Sequence, residues 1–219
     1  MTDIAGVLWD LDGTIVDTEP IWMAAEHELA ADHHAVWTEE DGLALVGNSL
    51  IDSALYIRER IGSDMAPERI VDFLVERVAA GLRAEIPWRS GARELIAALA
   101  AQDVPQAMVT MSYAPIAETV AAWLPLEAVV SGDQVERGKP HPEPYLRAAE
   151  LLGVDAADCI AIEDSGTGAA SANAAGCHVV VVPNFVNVSG APRRVQVATL
   201  DGVSPAELIA LATDGRLSR

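Results

Sequence analysis

Apolar positions follow two rhythms along the chain. The run 4–9 is short and continuous, and it ends in two carboxylates, Asp10 and Asp12, followed by Gly13 and Thr14. A run of that length predicts a buried strand. From Thr18 the spacing turns helical. Ile21, Trp22, Ala25 and Leu29 share one face of a helix predicted over 19–31, with Pro20 in its first turn and Thr18 or Glu19 as cap. A shorter helix is predicted over 39–46, and another runs from a cap at Asn48 or Ser49 to Ile61. A long one follows Pro67 to about Arg83, with Ile70, Val71, Leu74, Val75 and Val78 on one face. The stretch 18–87 therefore reads as consecutive helices with no strand.

From Gly91 strands and helices alternate. Helices are predicted over 92–101, 115–123, 143–152, 168–175 and 205–212, and strands over 106–110, 128–131, 159–162 and 178–182. Gly153 and Gly176 end two of the helices. Residues 184–200 read as loop, and the last four residues as a frayed end. Alternation of this kind implies a doubly wound parallel sheet with helices on both faces. The first strand precedes the helical block and the others follow it. The expected architecture is one α/β core, residues 1–17 and 88–219, carrying an all-helical insert, residues 18–87.

Composition narrows the function classes. The net charge is −19, which disfavours nucleic acid and anionic membranes as partners, since both need a basic face. No apolar run is long enough to span a bilayer, and Met1-Thr2-Asp3 carries no basic region ahead of an apolar one, so a cytoplasmic, membrane-free protein is expected. Cys159 and Cys177 both lie beside apolar runs and read as buried, reduced thiols. The cations are more telling. Arg occurs 13 times and Lys once, at Lys139. Lysine differs from arginine in being a compact point charge, so a small cavity that needs one ammonium accounts for the exception as well as chance does.

Four predicted strand ends carry chemistry. The first bears Asp10 and Asp12, and the second Thr110-Met111-Ser112. Lys139 follows the third, within Arg137-Gly138-Lys139-Pro140-His141-Pro142. The fourth bears Glu163-Asp164-Ser165-Gly166-Thr167-Gly168. Each has a plain reading too: an Asp-Gly turn, a strand end, a helix cap. In a parallel sheet, however, all four ends lie on one edge, where such sheets bind ligands. Asp10, Asp12 and Asp164 then form an oxygen-only cation site suited to Mg²⁺. A hydroxyl and an ammonium lie beside it. That set can bind a phosphoryl group while a carboxylate attacks it in line.

The four segments Asp10-Leu11-Asp12-Gly13-Thr14, Thr110, Lys139 and Glu163-Asp164 resemble the four motifs of the haloacid dehalogenase (HAD) superfamily, and the likeness covers essentially the whole chain. The helical insert resembles the superfamily's α-helical cap. Asp17-Thr18-Glu19-Pro20, Gly138-Lys139-Pro140-His141-Pro142 and Glu163-Asp164-Ser165 are similar to the subgroup of sugar-phosphate phosphatases and β-phosphoglucomutase. The resemblance implies Asp10 as nucleophile forming an aspartyl-phosphate, and Asp12 as the acid that protonates the leaving alkoxide and then activates water. It implies Thr110, Met111 and Lys139 as holders of the phosphoryl group. Mg²⁺ would be held by Asp10, the backbone carbonyl of Asp12, and Asp164, with Glu163 as ligand or support. Asp12 argues against a dehalogenase, because a leaving halide needs no proton.

The expected activity is hydrolysis of a small phosphorylated metabolite, a sugar or polyol phosphate, by a monomer or weak dimer. The mutases of the subgroup carry a His where Trp22 stands, and an Arg just after the glycine of a segment like Leu45-Val46-Gly47, where this chain has Asn48, Ser49 and Leu50. Both departures favour hydrolysis over the alternative of a sugar phosphomutase. Trp22 is a candidate substrate contact or a packing residue. His33-His34 is expected to face solvent, since nothing nearby completes a metal site. Trp88-Arg89-Ser90-Gly91 lacks the proline that the superfamily usually places before this glycine. A response-regulator-like receiver also combines an acid pair, a Thr and a Lys. The greater length, the insert and Asp12 count against that reading.

Overall fold

The computed structural model describes residues 4–45, 49–184 and 188–214. Val46, Asn48 as a cap, and the frayed last four residues lie outside that description. The chain divides into two compact units, Met1–Asp17 with Pro87–Arg219, and Thr18–Ile86.

The first unit is a six-stranded, all-parallel sheet. Its elements are β1 (Gly6–Trp9), α5 (Ala92–Ala100), β2 (Gln106–Val109), α6 (Ala114–Ala121), β3 (Ala128–Val130), α7 (Glu143–Leu152), β4 (Cys159–Glu163), α8 (Gly166–Ala174), β5 (His178–Val181), β6 (Arg194–Gln196) and α9 (Pro205–Asp214). The strand order is β3-β2-β1-β4-β5-β6. The order reverses direction beside β1, and a parallel sheet opens a crevice at that point. Trp9 pairs in register with Met108 on one side and Ile162 on the other, so the chain leaves β1, β2 and β4 at nearly the same level. This register makes the first, second and fourth motifs neighbours, and the pairing of Val109 with Val130 brings β3, which precedes Lys139, alongside them.

Both faces of the sheet are covered, which is why its strands are apolar throughout rather than alternating. One face puts Leu8, Ala107, Val109, Ala161 and Val179 against Ala148 and Ala149 of α7 and Ala169 and Ala172 of α8. Alanines there let the helices sit close to the strands. Toward α5, buried Trp9 donates from Nε1 to Gln106 Oε1 at 3.0 Å, and Gln106 Nε2 donates to the carbonyl of Ile96 at 3.0 Å. These bonds satisfy polar atoms that would otherwise cost about 1–3 kcal/mol each. Cys159 and Cys177 are buried, unbridged thiols, which burial pushes up to about 12, so both stay protonated and inert.

The second unit holds α1 (Glu19–Asp32), α2 (Glu39–Leu43), α3 (Leu50–Ile61) and α4 (Pro67–Ala84). The long amphipathic α4 is its spine and packs on both α1 and α3. Ile70, Val71, Leu74, Val75 and Val78, the face read from spacing, are all buried. Ser49 caps α3 by accepting from Asp52 N–H. Thr18, by contrast, makes no side-chain cap bond.

The structure differs from two expectations. The stretch 184–200 is not all loop. Arg194–Gln196 adds a sixth strand beside β5, with Val195 in register with Val180. Three residues with polar ends on a sheet edge carry no apolar signal. His33 does not simply face solvent. It is half-buried, its Nδ1 lies 3.0 Å from the carbonyl of Leu29, and its Nε2 lies 3.0 Å from Ser63 Oγ, so it ties the end of α1 to the turn after α3.

Candidate active site

Each site residue is placed by its strand. Asp10 follows β1 directly and its N–H donates to the carbonyl of Ile162, which pins it to the neighbouring strand. The chain then turns sharply at Gly13, whose φ of 83° suits a residue without a side chain. A Cβ there would also collide with the Asp164 carboxylate. The glycine of the first motif thus allows the acid of the fourth to approach it.

Lys139 reaches back from the loop after β3. Its Nζ donates to Asp10 Oδ1 at 2.6 Å, to Glu163 Oε1 at 2.6 Å and to the carbonyl of Val109 at 2.9 Å. Burial on its own would favour the neutral amine. Asp10 and Glu163 outweigh it and hold the ammonium above its ordinary value. On the opposite flank, Thr110 Oγ1 and Ser112 Oγ both donate to Asp12 Oδ2, at 3.0 and 2.8 Å. The Ser112 N–H donates in turn to Thr110 Oγ1 at 2.9 Å. Asp12 is only half-buried, so it has the access to water that a proton carrier needs.

The acids at the end of β4, Glu163 on the strand and Asp164 just past it, take different parts. Glu163 shares the Ala161 face of the sheet and is fully buried beside α7 and α8. Its Oε1 accepts from Lys139 and from Tyr145 Oη at 2.6 Å, and its Oε2 from Ser165 Oγ at 3.2 Å. A Cβ on Gly168 would occupy the place of its carboxylate. Asp164 lies instead against Gly13.

Carboxylate oxygens of Asp10, Glu163 and Asp164 all lie within 4.8 Å of one another. Burial raises both Asp10 and Asp164 above the usual carboxylate range. The Glu163 charge adds to it at both, and Asp10 adds to it at Asp164. Asp10 Oδ2 is buried and accepts no hydrogen bond. An orphaned oxygen in a nest of like charges, with donors that are all oxygen, fits a hard divalent cation.

Met111 turns its side chain away. Its sulfur accepts from Lys139 N–H at 3.3 Å and packs at Gly138, so a phosphate contact from this position would come from its backbone. Trp22 belongs to the other unit, half-buried on α1. Neither Tyr145 nor Ser112 carries a role that the motifs signal. Tyr145 sits on the apolar face of α7, and a phenol there has to find an acceptor. Beside Gly13, the Asn184 amide is held by Arg89, whose Nη1 donates to Asn184 Oδ1 at 2.9 Å.

Known proteins are similar to this chain in sequence and in fold. The family model described as haloacid dehalogenase-like hydrolase matches residues 7–182. Hexitol phosphatase A of Escherichia coli (strain K12) is 35% identical over 182 residues, covering 81% of this chain and 82% of its own. Protein CbbY of Rhodobacter capsulatus is 32% identical over 201 residues, covering 83% and 86%. Among solved structures, CbbY of Rhodobacter sphaeroides in complex with xylulose-(1,5)bisphosphate superposes with a TM-score of 0.82 at 26% identity, over 93% of this chain and 98% of that one. Motifs, sheet order and relatives agree: this chain belongs to the haloacid dehalogenase-like hydrolases.

Proposed function

We propose that the chain is a Mg²⁺-dependent phosphomonoester hydrolase, acting on a small sugar or polyol phosphate through a phosphoryl group carried on Asp10. One observation carries the reading: Asp10 has one oxygen anchored by Lys139 and the other buried without a partner. A carboxylate so held is oriented and poorly solvated, as a nucleophile should be. The names of the relatives, a hexitol phosphatase and a protein that binds a sugar bisphosphate, support the substrate class.

In this reading the Asp10 carboxylate attacks phosphorus, and the ester oxygen leaves with a proton from Asp12. Asp12 then takes a proton from the water that attacks the aspartyl-phosphate, so one acid serves both half-reactions. Thr110 and Ser112 hold Asp12 on the flank where the leaving group departs. When an ester binds, the Thr110 hydroxyl would give up Asp12, which Ser112 still holds, and Lys139 would turn one N–H from the Val109 carbonyl, so that both donate to the phosphoryl oxygens. Asp10, Asp164 and the backbone carbonyl of Asp12 would hold Mg²⁺, with Glu163 occupied as the partner of Lys139. When bound, the ion neutralises charge that would otherwise repel an anionic ester. We assign the helical unit the role of a cap that selects the substrate, with Trp22 as a candidate contact.

The test is phosphate release from a panel of sugar, polyol and nucleotide monophosphates, with Mg²⁺ and with a chelator. Metal-dependent release concentrated on a few sugar or polyol phosphates is expected. No release from any monoester would overturn the assignment and favour interconversion of phosphate isomers.

A further inference from the structure

We propose that Tyr145, which no motif includes, is a positioning residue of this site: it locks Glu163 onto Lys139 and so aims the ammonium at Asp10. The inference rests on the phosphatase reading above. Tyr145 is fully buried on α7, and its only polar atom lies 2.6 Å from Glu163 Oε1, the oxygen that also takes Lys139 Nζ at 2.6 Å. Its ring lies under the same ammonium, with Nζ 5.2 Å from the ring centroid. One side chain thus touches both members of the pair, through its hydroxyl and through its face. The phenol has a hydrogen to give and an ionised carboxylate has none, so Tyr145 Oη donates to Glu163. With two donors on Oε1 and Ser165 Oγ on Oε2, Glu163 has both its oxygens engaged by protein. That separates it from Asp10 and Asp164, and explains how two adjacent acids serve different partners.

The test is a double-mutant cycle of Tyr145→Phe and Glu163→Gln. Tyr145→Phe keeps the ring and the fold while removing one bond to a buried charge. It should lower kcat/KM about tenfold, mostly in kcat, since such a bond contributes on the order of a tenfold effect or more. In the Glu163→Gln background the same change should cost less than about twofold, because its route to Lys139 is already broken. Equal costs in both backgrounds, or a loss that follows thermal stability alone, would overturn the proposal. The cycle is also read on inorganic phosphate affinity in the presence of Mg²⁺, by calorimetry. If the wild type hydrolyses no monoester, the phosphatase reading fails while the same non-additivity in phosphate binding still decides the role of Tyr145.

Discussion

Replacing Lys139 by arginine keeps the charge and changes only its shape. Three acceptors converge on one nitrogen: Asp10 Oδ1 and Glu163 Oε1 at 2.6 Å and the carbonyl of Val109 at 2.9 Å. An ammonium directs three hydrogens from a single atom, whereas a guanidinium spreads its donors across a plane. The side chain is 5% exposed, so the larger group has no room to back away. Arginine should therefore lose at least one of the two bonds to carboxylates, each worth about 1.5–3 kcal/mol. Losing one, at about 2 kcal/mol, corresponds to about a 30-fold fall in kcat/KM. Losing both would bring it near a thousandfold. The assay is steady-state phosphate release with the best ester, beside a thermal melt. Arg137→Lys, on a side chain that is 67% exposed, serves as the silent control. A Lys139→Arg enzyme within threefold of wild type would refute the argument and make the lone lysine an accident of composition.

Three further outcomes follow from the same geometry. Asp12→Asn should slow both half-reactions and let phosphoenzyme accumulate, seen as a burst of alcohol release without matching phosphate; unchanged turnover would remove Asp12 as the proton carrier. Asp164→Asn should weaken Mg²⁺ binding more than about a hundredfold by calorimetry, beyond the range usual for outer partners, and retained affinity would displace it as a ligand. In the helical unit, Glu26 is buried, accepts from Trp37 Nε1 at 3.1 Å, and is pushed by burial from 4.5 up to about 7. Its folded value lies above its unfolded one, so its stabilising contribution is complete below about 4.5 and is lost as pH rises through about 7. Glu26→Gln should thus raise stability at pH 8 by about 3 kcal/mol in urea melts and change little at pH 4. An equal effect at both pH values would contradict this.

The strand ends were legible because each motif is local. An apolar run, then an acid, hydroxyl or lysine, needs no knowledge of distant residues. The parallel sheet brought them together, and its register, Trp9 with Met108 and Ile162, did the rest. What stayed hidden depends on side-chain direction and long-range partners. Glu163 and Asp164 look equivalent in sequence, but Glu163 is the last residue of β4, on the same face as Ala161, which sends it to Tyr145 and Lys139, while Asp164 lies past the strand end against Gly13. Tyr145 reads as an ordinary core residue of an amphipathic helix until its acceptor is seen. His33 was indistinguishable from a surface histidine because Ser63, which lies 3.0 Å from its Nε2, is thirty positions away. β6 is too short and too polar at its ends to announce itself, and only the edge of β5 makes Arg194–Gln196 a strand.

The proposed mechanism depends above all on Asp10 as the carrier of the phosphoryl group. The decisive measurement is peptide mapping by mass spectrometry after a rapid acid quench of the Mg²⁺-loaded enzyme, mixed with an ester it hydrolyses. A phosphoryl adduct on the Asp10 peptide is predicted, rising and decaying with turnover, stronger in Asp12→Asn and absent in Asp10→Asn. Full turnover with no adduct at Asp10, or activity retained by Asp10→Asn, would contradict the covalent mechanism.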